Sequence, residues 1–256
     1  MLVIAGVGSG LTAKASVDAG VTAVATYNTA IYRIRGVPTA LSFLPYDSCN
    51  ELTELVLPEV VSATERRVPV IAGVGAHDPR IELSSHLEKL RSMGAGGVMN
   101  EPFLGIYSAE IREALDQAGF GWKRELELMR VAKAAGMSTL AWAFNDDEAR
   151  QFAEVGVTWI GVMAGIMSDG DNEPTAVRAC ADRLEVMAKA SREVDSSIPV
   201  LGHGGPLNSK SAIDQIVELA ELDGVVTGSN GERLPAYNGV RRELEALVTS
   251  GFDTGR

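Results

Sequence analysis

Cysteine is scarce in this chain of 256 residues: Cys49 and Cys180 stand far apart and lack metal-ligand spacing. A disulfide framework is therefore not expected, and the usage fits a reducing cytoplasm, the location expected here. Histidine is limited to His77, His86 and His203, and basic residues number 23 against 34 acidic ones. The formal net charge of −11 argues against a surface that binds DNA, RNA or anionic lipid. No nucleic-acid and no membrane partner is expected. A small anionic metabolite stays open as a partner, because a few converging N–H groups bind an anion inside an acidic protein. No apolar run approaches the roughly 20 residues of a membrane helix. The opening MLVIAGVGSG has no basic segment ahead of its short apolar run, so it reads as a strand rather than a signal peptide.

What the chain has in quantity is apolar residues, 46% of the total, in short runs. Eight runs read as strands: 2–6, 23–27, 68–74, 96–100, 138–144, 158–163, 198–202 and 223–228. Most are continuously hydrophobic, the pattern of parallel strands covered on both faces. Helix-period segments separate them, over 52–67, 81–93, 122–135, 146–155, 175–194, 211–222 and 236–248. Gly20, Gly94, Gly136 and Gly156 fall where left-handed helix caps are expected, and Asn145 or Asp146 can cap the helix at 146. Eight βα units in this length predict a single (β/α)8 TIM barrel over 1–256, expected to be a homo-oligomer. A doubly wound sheet is the competitor, but Gly6-x-Gly8-x-Gly10 lacks the rest of a dinucleotide fingerprint. The repeat of VIAGVG at 3–8 and 70–75 fits two barrel strands with one packing role. Longer insertions at 28–50 and 101–121 leave strands 2 and 4 at the end where barrels place their sites.

Candidate site residues therefore come from strand ends. His203, between Gly202 and Gly204-Gly205, is either a proton carrier or oxyanion donor, or a hydrogen-bonded structural histidine. Gly204, Gly205, Gly228 and Ser229 follow strands 7 and 8, where barrels often hold phosphate on backbone N–H groups; the alternative is plain turn geometry. Gly8 and Ser9 offer the same after strand 1. Arg233 can clamp a carboxylate or phosphate, or pair with Glu232. Asn100 and Glu101 end strand 4, and Glu101 is a candidate general base or metal ligand, or a loop salt-bridge partner. Asp78 with His77 is a dyad or, more simply, turn chemistry before Pro79. His86 reads as a packing or surface residue. Asp47, Asp169 and Asp171 raise a magnesium possibility without diagnostic spacing, and the acidic stretch 168–173 lacks the register of a calcium loop.

The ordered segments TYNTAIYRIRG (26–36), LPYDSCNE (44–51), PVIAGVGAHDP (69–79), GVMNEPFLG (97–105), FNDDEA (144–149), GHGGP (202–206) and GSNGERLP (228–235) run through nearly the whole chain. In them the chain resembles the phosphoenolpyruvate hydrolase-like TIM barrels, also described as TIM-barrel signal-transduction proteins. It is similar too to the C-terminal barrel of Tm-1-like resistance proteins. The matching positions include Asn28, Arg33, Tyr46, Asp78, Asn100, Asn145, His203, Gly204, Gly205, Glu232 and Arg233. The chain departs from that pattern at Gly75, at 163–171 and at Glu101. Through a distant likeness to the phosphoenolpyruvate mutase/isocitrate lyase superfamily, the resemblance implies a Mg²⁺-assisted enzyme. Its substrate would be a small 2-oxo acid or a phospho- or phosphono-pyruvate-like anion, hydrolysed or cleaved at C–C or C–P through an enolate. On this reading His203, Glu101 and Asn100 are the catalytic candidates. Gly8, Ser9, Asn28, Arg33, Gly204, Gly205, Gly228, Ser229 and Arg233 hold the anion. A non-catalytic, metabolite-binding barrel is the rival. A Schiff-base aldolase is disfavoured, since no predicted strand carries a lysine.

Overall fold

A computed structural model describes residues 1–165 and 174–249. Eight parallel strands close into a barrel in chain order. They are β1 (Leu2–Gly6), β2 (Ala23–Thr26), β3 (Val70–Gly73), β4 (Gly97–Met99), β5 (Ser138–Ala143), β6 (Trp159–Met163), β7 (Val200–His203) and β8 (Gly224–Thr227). Pairing of Leu2 with Gly224 and Ala5 with Thr227 closes β8 on β1. The helices are α1 (Gly10–Asp18), α2 (Asn28–Ile34), α3 (Cys49–Ala63), α4 (Leu83–Ser92), α5 (Ala109–Gln117), α6 (Trp122–Ala134), α7 (Asp146–Val155), α8 (Pro174–Val194), α9 (Lys210–Leu219) and α10 (Arg233–Thr249). The expected barrel is thus the observed fold, and all eight expected strands are present.

Both faces of each strand are apolar because both are covered. In β7, Leu201 packs in the barrel interior with Ile4, Ile71, Met99, Leu140 and Val226. Its neighbour Val200 packs outward against the helices, in the layer that holds Leu184 and Ile216. Side chains alternate along a strand, so Gly202 points outward, where a Cβ would meet Leu222 and Leu207. His203 returns to the inside, one step above Leu201. This alternation fixes which strand-end residues reach the barrel mouth.

The expected glycine caps are all left-handed, with φ of 86° at Gly20, 102° at Gly94, 72° at Gly136 and 73° at Gly156. Asn145 caps α7 by accepting from the Glu148 N–H. The two insertions, read from sequence as loops, carry structure. The first contains α2 and a 3-10 turn over Thr39–Phe43; the second contains a 3-10 turn over Leu104–Ile106 and α5. Helix α1 also went unpredicted; its mean hydrophobic contrast is weak, with only Gly10, Ala13 and Val17 buried.

Candidate active site

At the C-terminal mouth of the barrel lies a cavity of about 260 Å³. Strand ends supply Tyr27, Glu101, Trp142, Met163, His203 and Gly228; the β2 insertion and the turn after β8 supply Thr29, Arg33, Phe43, Ser229 and Arg233. Tyr27, Glu101, Trp142, Met163 and His203 all share the inward phase of their strands, two residues beyond or at the last interior apolar position. Glycines on the same face make room for them. A Cβ on Gly73 would stand 2.5 Å from Tyr27 Cβ, and one on Gly228 would stand 2.9 Å from His203 Cε1.

Glu101 is 2% exposed. Its Oε1 accepts a short hydrogen bond from the Thr29 hydroxyl, and its Oε2 has no partner. Burial pushes its carboxyl up to about 7, against the opposing pull of the Thr29 hydroxyl and Arg33. A buried carboxyl that titrates near neutrality, with one oxygen unengaged, is suited to carry a proton. Thr29 in turn lies 2.8 Å from the Ser42 hydroxyl, which donates to Thr39 O.

His203 Nδ1 lies 2.7 Å from Val226 O. A carbonyl only accepts, so Nδ1 carries the hydrogen and Nε2 keeps its lone pair at the cavity wall. Burial lowers the imidazole to about 4, although the Val226 carbonyl favours its cation. His203 is therefore neutral at pH 7. The expectation that it donates to an oxyanion is corrected on this ground: in this tautomer Nε2 is an acceptor. Its ring also rests against Trp142, with centroids 5.2 Å apart.

Other expectations are corrected by the same geometry. Asn100 is out of phase with Glu101 and points away from the cavity. Its Nδ2 donates to Glu125 Oε2 at 2.7 Å, and its Oδ1 accepts from the Trp142 N–H at 2.7 Å. Glu125, pushed up to about 8 by burial, also accepts from the Leu104 N–H. Asn100 is thus a scaffold residue that joins β4, β5 and α6. Asn28 donates to Ser42 O and ties α2 to its 3-10 turn. Ser9 caps α1 by accepting from the Thr12 N–H. The Gly8 N–H, expected to hold a substrate anion, donates to Glu232 Oε1 at 2.5 Å. Glu232 also accepts from Thr12 Oγ1 at 2.7 Å and pairs with Arg33 Nη2 at 3.3 Å. Arg33, rather than Arg233, is therefore the partner of Glu232.

The remaining glycines serve the turns. The Gly228 N–H donates to Asn230 Oδ1. Gly204 and Gly205 take φ of 84° and 53° and do not line the cavity. A Cβ on Gly204 would overlap Gly165 O, so glycine there permits the β7 turn to approach the end of β6. Asp78 is engaged by Arg80 at 2.7 and 2.8 Å, which holds it down at about 2, and by Asn50. It is turn chemistry, not half of a dyad. His86 faces Glu54, as a packing residue. Over Gly75, a Cβ would stand 2.5 Å from Cys49 Sγ, so that thiol fills the space of the absent side chain.

These strand-end groups lie within a chain whose residues 1–249 match the family model described as phosphoenolpyruvate hydrolase-like. The chain belongs to the phosphoenolpyruvate hydrolase-like family. It is 30% identical to the ToMV susceptible protein tm-1(GCR26) of Solanum lycopersicum over 245 residues, 94% of this chain. The match takes in 32% of that relative, so the chain spans about a third of its length. Among solved structures, a phosphonopyruvate hydrolase complex with oxalate and Mg²⁺ is similar with a TM-score of 0.62 at 14% identity, over 98% of this chain and 82% of that one. Oxaloacetate acetylhydrolase is similar with a TM-score of 0.63 at 15% identity, over 100% of this chain and 83% of that one. These likenesses show the shared barrel fold.

Magnesium demands near-octahedral oxygen ligation, usually with one or two ionised carboxylates. The described donors of this family member do not fit it. Glu101 is the one carboxylate lining the cavity among the described residues, and burial favours its neutral form. Asp78 is engaged by Arg80 and Asn50, and Asp47 accepts from Tyr32 Oη at 2.6 Å. Among the described residues no three His, Cys, Asp or Glu side chains are grouped as a metal would need. Asp169, Asp171 and the stretch 168–173 lie outside the described residues.

Several cavity residues were missed from sequence. Trp142 and Met163 have the inward strand phase that would have found them. Trp142 Nε1 and Arg33 Nε are buried donors without a partner, which no sequence pattern announces.

Proposed function

We propose that this barrel is an enzyme acting on a small anionic 2-oxo acid, cleaving a bond to C3 by hydrolysis or C–C or C–P scission through an enolate. The observation that carries the reading is Glu101: a buried carboxyl, titrating near neutrality, with one unengaged oxygen, on a residue that lines the cavity together with His203. In this reading Glu101 takes a proton from the attacking water, whose second hydrogen is donated to His203 Nε2, or from a substrate hydroxyl. The bond to C3 breaks and its electrons remain on the 2-oxo acid as an enolate. Arg33 Nε and Trp142 Nε1 donate to the oxygen where charge gathers. The proton on Glu101 then returns to C3. The aromatic walls exclude water and strengthen each of these interactions.

The test is a panel of 2-oxo acids and their phosphono analogues, with and without Mg²⁺. Turnover of a panel member is expected, and His203→Ala should lower its kcat about a hundredfold. Saturable binding without turnover across the panel would overturn the reading in favour of a metabolite-binding barrel.

Among the described residues no helix is long and apolar enough to cross a membrane. Both cysteines are free thiols, which suits the cytoplasm we propose as the site of action. We propose also that the chain is a homo-oligomer assembled through α10. Like α5, α10 buries no residue, and along it Tyr237, Val240 and Leu244 stand exposed in one stripe. An isologous contact with a second copy covers that stripe on both chains at once. Light scattering is expected to give a multiple of 27.1 kDa, and the double variant V240E/L244E should return the monomer. A monomeric wild type at micromolar concentration overturns this.

A further inference from the structure

We infer that the substrate of this site is a singly charged 2-oxo acid with an apolar substituent, and that Glu232 is the residue that selects against phospho and phosphono analogues. The inference rests on the enzymatic reading above and narrows it.

A nest of donors opens after β1: the Gly8 N–H at the start of α1, the Thr12 hydroxyl and the Arg33 guanidinium. In many barrels a group of this kind is the seat of a substrate anion. Here all three converge on Glu232, at 2.5, 2.7 and 3.3 Å. The seat is filled by the chain's own carboxylate, which is 2% exposed. Glu232 therefore cancels the charge of Arg33, so the stretch of cavity wall that Arg33 lines presents no net cation. A phosphonate or phosphate on the substrate would bring one or two further negative charges to a wall whose cation is already neutralised, in a setting of low dielectric where an uncompensated charge is costly.

What the cavity offers beyond Glu232 fits a single charge. Arg233 lines it and, among the described residues, makes no ion pair. Arg33 Nε and Trp142 Nε1, both buried, lack acceptors. One cation and two N–H donors match one carboxylate with its adjacent carbonyl. One side of the wall is apolar: Phe43 and Phe103 lie 5.6 Å apart by ring centroids, Phe103 and Trp142 lie 6.2 Å apart, and Met163 and Pro38 also line the cavity. Such a wall strips water from an ionic substituent without replacing its hydrogen bonds, and accepts a hydrocarbon or aromatic one.

The test measures binding by titration calorimetry, independent of turnover, for 3-phenyl-2-oxopropanoate, pyruvate and 3-phosphonopyruvate. Wild type is expected to bind the phenyl compound at least about tenfold more tightly than pyruvate, with phosphonopyruvate weakest. In Glu232→Gln, phosphonopyruvate should gain roughly tenfold relative to the phenyl compound. Equal or tighter binding of phosphonopyruvate by wild type overturns the inference, as does an unchanged ratio in Glu232→Gln. Should Glu232→Gln not fold, the wild-type ranking alone decides. Binding in the stated order with no turnover supports the inference on recognition and overturns the enzymatic reading; turnover with the reverse order overturns the inference alone. Absence of binding by all three at millimolar concentration overturns both.

Discussion

Glu101→Gln is expected to lose activity and gain stability together, with the gain confined to neutral and alkaline pH. Glutamine keeps the size and can still accept from Thr29, but it carries no proton between substrate atoms. The loss should appear in kcat, about 10²–10⁴-fold, with KM changed little. The stability effect follows from linkage. Burial raises the Glu101 carboxyl from 4.5 to about 7 in the folded chain. Between those values the folded state holds the proton and the unfolded state has released it, so the contribution of Glu101 is full below pH 4.5 and is lost as pH rises through 7. The difference corresponds to roughly 3 kcal/mol at most. Glutamine does not titrate, so the variant should exceed wild type in urea midpoint at pH 8 and not at pH 4.5. His203 works in another window. Its folded value of about 4 lies below 6.5, so its contribution is present above 6.5 and is lost as pH falls towards 4. In wild type, kcat should rise with pH through about 7, as Glu101 becomes the base. Thr29→Val removes the hydrogen bond that holds Glu101 down, and should move that limb to higher pH. A Glu101→Gln variant of wild-type kcat would remove Glu101 from the chemistry, whatever its stability.

The barrel was legible because its signal is repeated. Most strand runs are apolar on both faces, four helix ends are marked by glycine as expected, and eight repetitions leave few other folds. The site was only half legible. His203, Glu101, Arg33 and Arg233 line the cavity as their strand-end or loop positions suggested. Yet Asn100 and Glu101, adjacent in sequence, face opposite ways, because one residue of strand register exchanges the two faces. Counting phase from Met99, whose side chain packs in the barrel interior, would have separated them. The same count would have found Trp142. Phase alone does not find the partner of Arg33. Seven residues of α2 are too few to show a helical period, and the chain between 28 and 50 reads as loop. Glu232 then meets Arg33 across 199 residues of sequence, a pairing set only by closure of β8 on β1. The glycines were misassigned for a related reason. Both anion turns and tightly packed turns require the absence of a Cβ, and only the neighbours, Gly165 over Gly204 and Ala30 over Gly8, tell which applies.

Arg33→Met should destabilise the fold by about 3–5 kcal/mol, more than removal of any surface ion pair. Arg33 and Glu232 are 3% and 2% exposed. Methionine approximates the length of the arginine stem, so the cost is chiefly electrostatic: a buried carboxylate left with the Gly8 N–H and the Thr12 hydroxyl and no counter-charge. Arg33 Nη2 also donates to Gly6 O at 3.1 Å and Nη1 to Tyr27 Oη at 3.2 Å, so β1, β2 and the turn after β8 all lose a contact. Those elements flank the closing seam of the barrel, and amide exchange should quicken first in β1 and β8. The pair can be separated from packing by a cycle. Arg33→Met with Glu232→Gln removes both charges and leaves an amide that still accepts from Gly8 and Thr12. This double variant should recover most of the loss, with a coupling energy of at least about 2 kcal/mol in urea denaturation. Additive losses would mean that the two side chains act through packing alone. The charge balance that sets the selectivity of the cavity would then have to come from elsewhere than Glu232. The cycle thus tests, on stability alone, whether the carboxylate behind the cavity wall is held as a charge.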